Sequence, residues 1–167
     1  MIELIYFFLP VYFANMVPVF VKKINFLNFA INKKIFGKNK TYRGFFFGIT
    51  TGLIVIFIQK TLFKYDFFIY ISLIDYNYSN IFLVGFLLSF GALFGDLVKS
   101  FFKRKLKIKE GKSWILFDQI DAIIGSIIFI YPIVKFSLIQ LIQIISISFV
   151  LIYFSVKFAY VIKLRKE

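Results

Sequence analysis

Apolar residues in this chain come in long unbroken runs, neither alternating nor confined to one-sided stripes. Five runs approach the roughly 20 mostly apolar residues that a helix needs to cross a bilayer. They are about Ile2 to Val21, Phe45 to Phe63, Ile81 to Val98, Asp118 to Val134 and Ser137 to Val156. Between the second and third, Lys64 to Asn80 is aromatic but mixed, and Phe67, Phe68, Tyr70, Tyr76 and Tyr78 suit an interfacial segment. The pattern predicts an all-α integral membrane bundle of about five transmembrane helices, forming one membrane domain over residues 1–167. Glu3 precedes the first run and Lys22 and Lys23 follow it, the wrong flanks for a cleaved signal peptide, so a retained helix is expected. Asn15 and Pro18 interrupt that helix, where a kink with an internally bonded amide is expected.

Charge orients the bundle. The segment Lys22–Arg43 carries seven basic residues and no acid, and Lys99–Phe117 carries seven with only Glu110. Lys157, Lys163, Arg165 and Lys166 follow the last run, whereas Lys64–Asn80 has one Lys against Asp66 and Asp75. The connection after the fourth run has only Lys135. Because Lys and Arg collect on the cytoplasmic side, this asymmetry predicts N-terminus out, C-terminus in and two basic cytoplasmic loops, in a multi-pass protein of the cell membrane.

Composition narrows the chemistry. The chain is 60% hydrophobic with a mean hydropathy of +0.86, above the roughly half-apolar usage of soluble domains. Its net charge of +13 has a topological and anionic-lipid explanation and calls for no nucleic acid. With no Cys and no His, thiol nucleophiles, disulfides, imidazole catalysis and zinc-type sites are excluded. A metal here would be held by oxygen, which points to magnesium.

Of the eight acids, three gather near one membrane edge. Asp96 closes the third run, and Asp118 and Asp121 open the fourth, three residues apart and so on one helical face. A carboxylate inside a span costs roughly 2.5–3.5 kcal/mol on insertion scales, which makes it a functional candidate. The structural alternatives are a helix cap for Asp118 and ion pairing of Asp96 with Lys99 or Lys103. The basic stretch Lys99-Ser100-Phe101-Phe102-Lys103-Arg104 is either topological charge or a polyphosphate clamp. The stretch Gly37-Lys38-Asn39-Lys40-Thr41-Tyr42-Arg43-Gly44 is a second phosphate-binding candidate, without the glycine spacing of a P-loop. Gly44, Gly48 and Gly52, and again Gly91 and Gly95, recur every four residues, as in close helix packing. Trp114 suits an interfacial anchor.

The block from Gly85 to Arg104, centred on Gly95-Asp96-Leu97-Val98-Lys99-Ser100, resembles the CDP-archaeol synthase family. So do Asp118-Gln119-Ile120-Asp121, Ala14-Asn15-Met16-Val17-Pro18 and Lys40-Thr41-Tyr42-Arg43-Gly44, in that family's order. The resemblance covers roughly Ala14 to Ser126. It implies a Mg2+-dependent cytidylyl transfer from CTP to an isoprenoid ether lipid phosphate, unsaturated archaetidic acid (2,3-di-O-geranylgeranylglycerol 1-phosphate). The products would be CDP-archaeol and pyrophosphate. It also implies roles: Asp96, Asp118 and Asp121 hold metal, with Lys103 as a further catalytic group. Lys40, Arg43, Lys99, Ser100 and Arg104 contact phosphates, and Asn15 and Pro18 line the lipid groove. The related phosphatidate cytidylyltransferases carry a Gly-rich, His-containing stretch before the second Asp pair. Here Gly111-Lys112-Ser113-Trp114-Ile115-Leu116-Phe117 stands there without His, which favours the ether-lipid enzyme over one acting on diacyl phosphatidic acid. Tyr42 stands where the family often has Trp.

A small ion- or proton-coupled transporter is the alternative from another class. It predicts acids near mid-bilayer and paired pseudo-repeats, and neither is visible in this sequence. A non-catalytic lipid-binding subunit accounts for the basic loops but leaves the three acids without a role.

Overall fold

The computed structural model describes residues 1–108, Trp114 and 117–161, of which 118, 119 and 152–161 are described for the backbone alone. Among them the chain is helical without strands: α1 (Ile2–Phe7), α2 (Leu9–Phe20), α3 (Tyr42–Leu62), α4 (Asp66–Tyr70), α5 (Ile81–Lys105), α6 (Phe117–Ile130) and α7 (Leu138–Val161). Helices α3 and α5 are long and apolar enough to cross a membrane. At about 1.5 Å per residue, their 21 and 25 residues reach roughly 32 and 38 Å.

The first apolar run is not one helix. It breaks at Phe8, whose φ of −89° and ψ of 5° are non-helical, and Pro10 opens α2. Proline has no N–H to give the carbonyl four residues back and its ring crowds that carbonyl. Here that group is Tyr6 O, which instead accepts a hydrogen bond from the buried Gln59 Nε2 of α3 at 2.5 Å. Pro18, inside α2, does the same to Ala14 O. That carbonyl faces Gly48, where an added Cβ would lie 2.9 Å from it and 2.8 Å from a Leu93 methyl. Pro10, Ala14 and Pro18, four apart, thus meet Gly52, Gly48 and Gly44 across the α2–α3 seam.

Helix starts follow local chemistry. Thr41 caps α3, its Oγ1 accepting from Gly44 N at 3.2 Å, and Asn80 caps α5 by accepting from Leu83 N at 3.1 Å. Ser137 and Gln140 form a reciprocal capping box before α7. Several boundaries differ from expectation: α3 opens at Tyr42 rather than Phe45, α7 runs to Val161 rather than Val156, and α5 and α6 end elsewhere than predicted. Helix α5 continues through Lys105 rather than ending at Val98, because cations in a last turn complement the helix dipole. It closes with Ile108 N on Lys103 O (2.9 Å) and Lys107 N on Arg104 O (3.0 Å), which puts Lys107 at φ 56°. Helix α6 ends at Ile130, short of Val134, in a turn that contains Pro132.

The aromatic segment after α3 is only partly interfacial. Phe67, Tyr70 and Tyr78 are exposed, but Tyr76 is fully buried against Tyr6 and Phe63. Burial, and secondarily Tyr6, pushes its phenol above the ordinary tyrosine range. This aromatic plug closes the end of the bundle away from Asp96. Along its length α5 packs against α2, α3 and α6.

Candidate active site

The first basic segment folds back on itself and delivers one lysine to α5. Ile31 N donates to Lys40 O (2.8 Å) and Tyr42 N to Phe29 O (3.0 Å), pairing Ala30 with Thr41. The Asn32 side chain accepts from Lys34 N and Ile35 N at the turn, and Gly37 takes the positive φ (91°) of the return. Arg43, buried at the start of α3, ties the hairpin down. Its N–H donates to Leu27 O at 2.9 Å and its Nη1 to Ile24 O at 2.5 Å. Lys40 is thereby set over Asp96.

Four charges form a chain at this end of α5. Lys40 pairs with Asp96 Oδ2, Lys99 Nζ lies 2.9 Å from Asp96 Oδ1, and the same Nζ lies 2.8 Å from Asp121 Oδ2. Lys99 therefore bridges carboxylates on two helices. The Asp121 side chain is 6% exposed, that of Asp96 17%. Their proximity depends on Gly95: a Cβ there would fall 2.1 Å from Asp121 O, and one at Gly125 would fall 2.2 Å from Gly91 O. Backbone touches backbone along the α5–α6 seam, so glycine is obligatory. Asp96, Lys99 and Lys103 recur at three- and four-residue steps, one face of α5.

A groove of about 440 Å³ runs between α5 and α6. Phe94, Val98 and Phe102 form one wall at four-residue spacing, and Ile120, Ile124 and Ile128 form the other. Trp114 and Phe117, with ring centroids 4.2 Å apart, also line it. Among the described residues, Lys99 and Asp121 are its charged lining. A smaller cavity of about 40 Å³ lies on the α3 side of Asp96, lined by Pro18, Lys40 and Gly44 among others.

The structure brings together Lys40, Asp96, Lys99 and Asp121, with Pro18 alongside. Asn15 lines neither cavity. Ser100 Oγ bonds back to Asp96 O at 2.8 Å, and Arg43 is engaged with the hairpin. Lys103 and Arg104 lie on the last turns of α5, partly exposed. Asp118 stands one turn before Asp121 on α6, but its side chain lies outside the described residues, as do Lys109 to Ser113. Among the described residues no three carboxylates gather; two do, through one ammonium. The groove walls went unmarked in the sequence, although their four-residue spacing beside Gly95 and Lys99 was a usable signal.

The comparisons with known proteins agree with one another. The family described as CarS-like: CDP-archaeol synthase matches residues 1–166. A CDP-archaeol synthase from Methanococcus maripaludis is 34% identical over 97% of this chain and 93% of its own. One from Pyrococcus furiosus is 38% identical over 79% of this chain and 76% of its own. A solved structure, described as an intramembrane enzyme for archaeal membrane lipids biosynthesis, superimposes with a TM-score of 0.66 at 20% identity, covering 92% of each chain.

Proposed function

This chain belongs to the CDP-archaeol synthase family, and we propose accordingly that it transfers the cytidylyl group of CTP to an isoprenoid ether lipid phosphate. The substrate is unsaturated archaetidic acid, and the products are CDP-archaeol and pyrophosphate. The observation that carries this reading is the junction of an apolar groove with the chain of charges Lys40–Asp96–Lys99–Asp121. A lipid phosphate has the same division, with hydrocarbon to fill a groove and an anion to meet ammonium groups.

In the reaction a phosphate oxygen of the lipid attacks the α-phosphorus of CTP. The new P–O bond forms as the bond to the pyrophosphate oxygen breaks, and both electrons leave with pyrophosphate. The nucleophile is already an anion, so no strong base is needed, consistent with a chain that has no His. The barrier lies in bringing anions together and in the charge that develops on the leaving group. Lys99, at the groove edge, neutralises and orients phosphate. Lys40 screens from the hairpin side, and Lys103 and Arg104 extend the positive face of α5 toward the triphosphate. The walls of α5 and α6 hold the chains and exclude water.

The acidic residues suit a magnesium ion. Asp96 and Asp121 offer hard oxygen donors on either side of one shared cation, and Asp121 Oδ1 is buried without a hydrogen-bond partner among the described residues. Asp96 and Asp121, with Asp118, would hold it, and when bound it would supply charge neutralisation to the phosphates. We further propose one multi-pass membrane domain with N-terminus out and the site at the cytoplasmic face, from the basic-residue asymmetry.

Purified protein with CTP, Mg2+ and a panel of lipid phosphates, followed by product mass, tests the reaction. The ether lipid should give a CDP-lipid; efficient turnover of diacyl phosphatidic acid with poor use of the ether lipid would move the assignment to the phosphatidate branch. Since the chain has no Cys, a Lys107→Cys variant reports topology cleanly. Reaction only with an impermeant reagent applied from outside would refute the cytoplasmic site.

A further inference from the structure

The hairpin that carries Lys40 has an outer surface that the catalytic reading does not use. Residues 22–29 are all exposed, and among them Ile24, Phe26, Leu27 and Phe29 are large and apolar, Phe29 at 71% exposure. Ile35, past the turn, is exposed as well. An aqueous loop does not hold such a run in water without a cost, and a contiguous apolar patch marks an interaction surface. The patch is continuous with the lipid-facing side of the bundle. Val19 and Phe20 are exposed at the end of α2, and Phe26 packs edge-on against Phe46 and Phe47 in the first turns of α3. Interleaved with it are Lys22, Lys23, Lys33 and Lys34, all exposed, and no acid occurs between Lys22 and Arg43.

We infer that this hairpin is an interfacial docking element. Phe26 and Phe29 lie among the headgroups and upper acyl chains of the cytoplasmic leaflet, and the lysines engage its anionic lipids. Aromatic rings with neighbouring ammonium groups are the composition that an anionic interface retains. A soluble acidic protein would be met by the lysines but gives no reason for an apolar rim continuous with α2 and α3. Docking has a structural consequence, because the limb that returns from the membrane surface ends at Lys40. The leaflet thus helps to hold Lys40 against Asp96. This inference rests on the fold and the exposed surface, takes its leaflet from the topology proposed above, and holds whether or not the cytidylyl reading does.

The test uses the full-length chain with Phe29→Cys as its single thiol, labelled with an environment-sensitive nitrobenzoxadiazole probe and reconstituted in nanodiscs. In discs containing phosphatidylglycerol, the probe should emit as in an apolar medium and be quenched by a headgroup-proximal nitroxide lipid. In zwitterionic discs, in high salt, or with Lys33→Gln and Lys34→Gln added, that quenching should fall about twofold or more, as screening of the lysines predicts. Emission as in water, with quenching by aqueous iodide regardless of lipid, overturns the inference. Equal nitroxide quenching in anionic and zwitterionic discs also overturns it, because docking would then owe nothing to anionic lipid.

Discussion

Two seams of small residues hold this bundle together, and they serve different ends. Along α2–α3, Gly44, Gly48 and Gly52 face Pro18, Ala14 and Pro10, and the prolines leave carbonyls that α3 answers with Gln59 and a close glycine. Along α5–α6, Gly91, Gly95 and Gly125 let two backbones touch. The first seam gives Tyr6 O a donor in place of the one Pro10 removes, and it meets the site only at its Gly44–Pro18 end, which lines the small cavity beside Asp96. The second brings Asp121 beside Lys99 and Asp96 and leaves an apolar groove along its edge. Close packing alone therefore does not mark a site. What distinguishes the second seam is that charged side chains flank the point of closest approach.

The comparison breaks most readily at the acids. Asp96→Asn, Asp118→Asn and Asp121→Asn should each lower turnover by roughly 100-fold or more, about 2.7 kcal/mol, with near-normal accumulation in membranes. Asp66→Asn and Asp75→Asn should stay active. Near wild-type turnover of all three site variants at saturating Mg2+ would remove the site from this seam.

The glycines sharpen it. Gly95→Ala forces α5 and α6 apart, because its Cβ would meet Asp121 O at 2.1 Å. Displacing Asp121 by even an ångström should cost about 10- to 100-fold in turnover, measured per folded molecule. Gly48→Ala crowds a leucine methyl and Ala14 O instead. It should lower thermal stability by roughly 1–3 kcal/mol and leave turnover per folded molecule near normal. Equal loss of turnover in both variants would erase the distinction between the seams.

Smaller effects follow. Gln59→Leu leaves Tyr6 O without its side-chain donor and should destabilise by about 1–3 kcal/mol, read as a lower midpoint in detergent unfolding with catalysis kept. Lys107→Gly should be mildly stabilising, by about 1 kcal/mol, because a left-handed backbone suits glycine better than lysine.

Much of this was legible in the chain. The starts of α3, α5 and α7 fall at or near where hydropathy puts them, and Ser137 marks the start of α7 as its capping box requires. The gathering of acids near one membrane edge was visible from Asp96 and Asp121. Other features were hidden for physical reasons. A hydropathy window stops at charge, but a helix does not, so Lys99 to Lys105 read as loop although the dipole welcomes them. Pro10 lies within an apolar run and hydropathy passes over it, while backbone hydrogen bonding breaks there. Tyr76 has the composition of an interfacial residue, and only the surrounding Tyr6 and Phe63 make it a plug. The pairing of Lys40 with Asp96 spans 56 residues of sequence, beyond any local pattern.

The bond between Gln59 and Tyr6 also bears on how the chain folds. Gln59 lies in the last turn of α3 and is buried, where lipid would offer its carboxamide no partner. Its acceptor lies 53 residues earlier in the chain, on the helix that precedes Pro10. The carboxamide of α3 is thus satisfied only once α3 packs beside α1 and α2, which ties the folding of the two segments together.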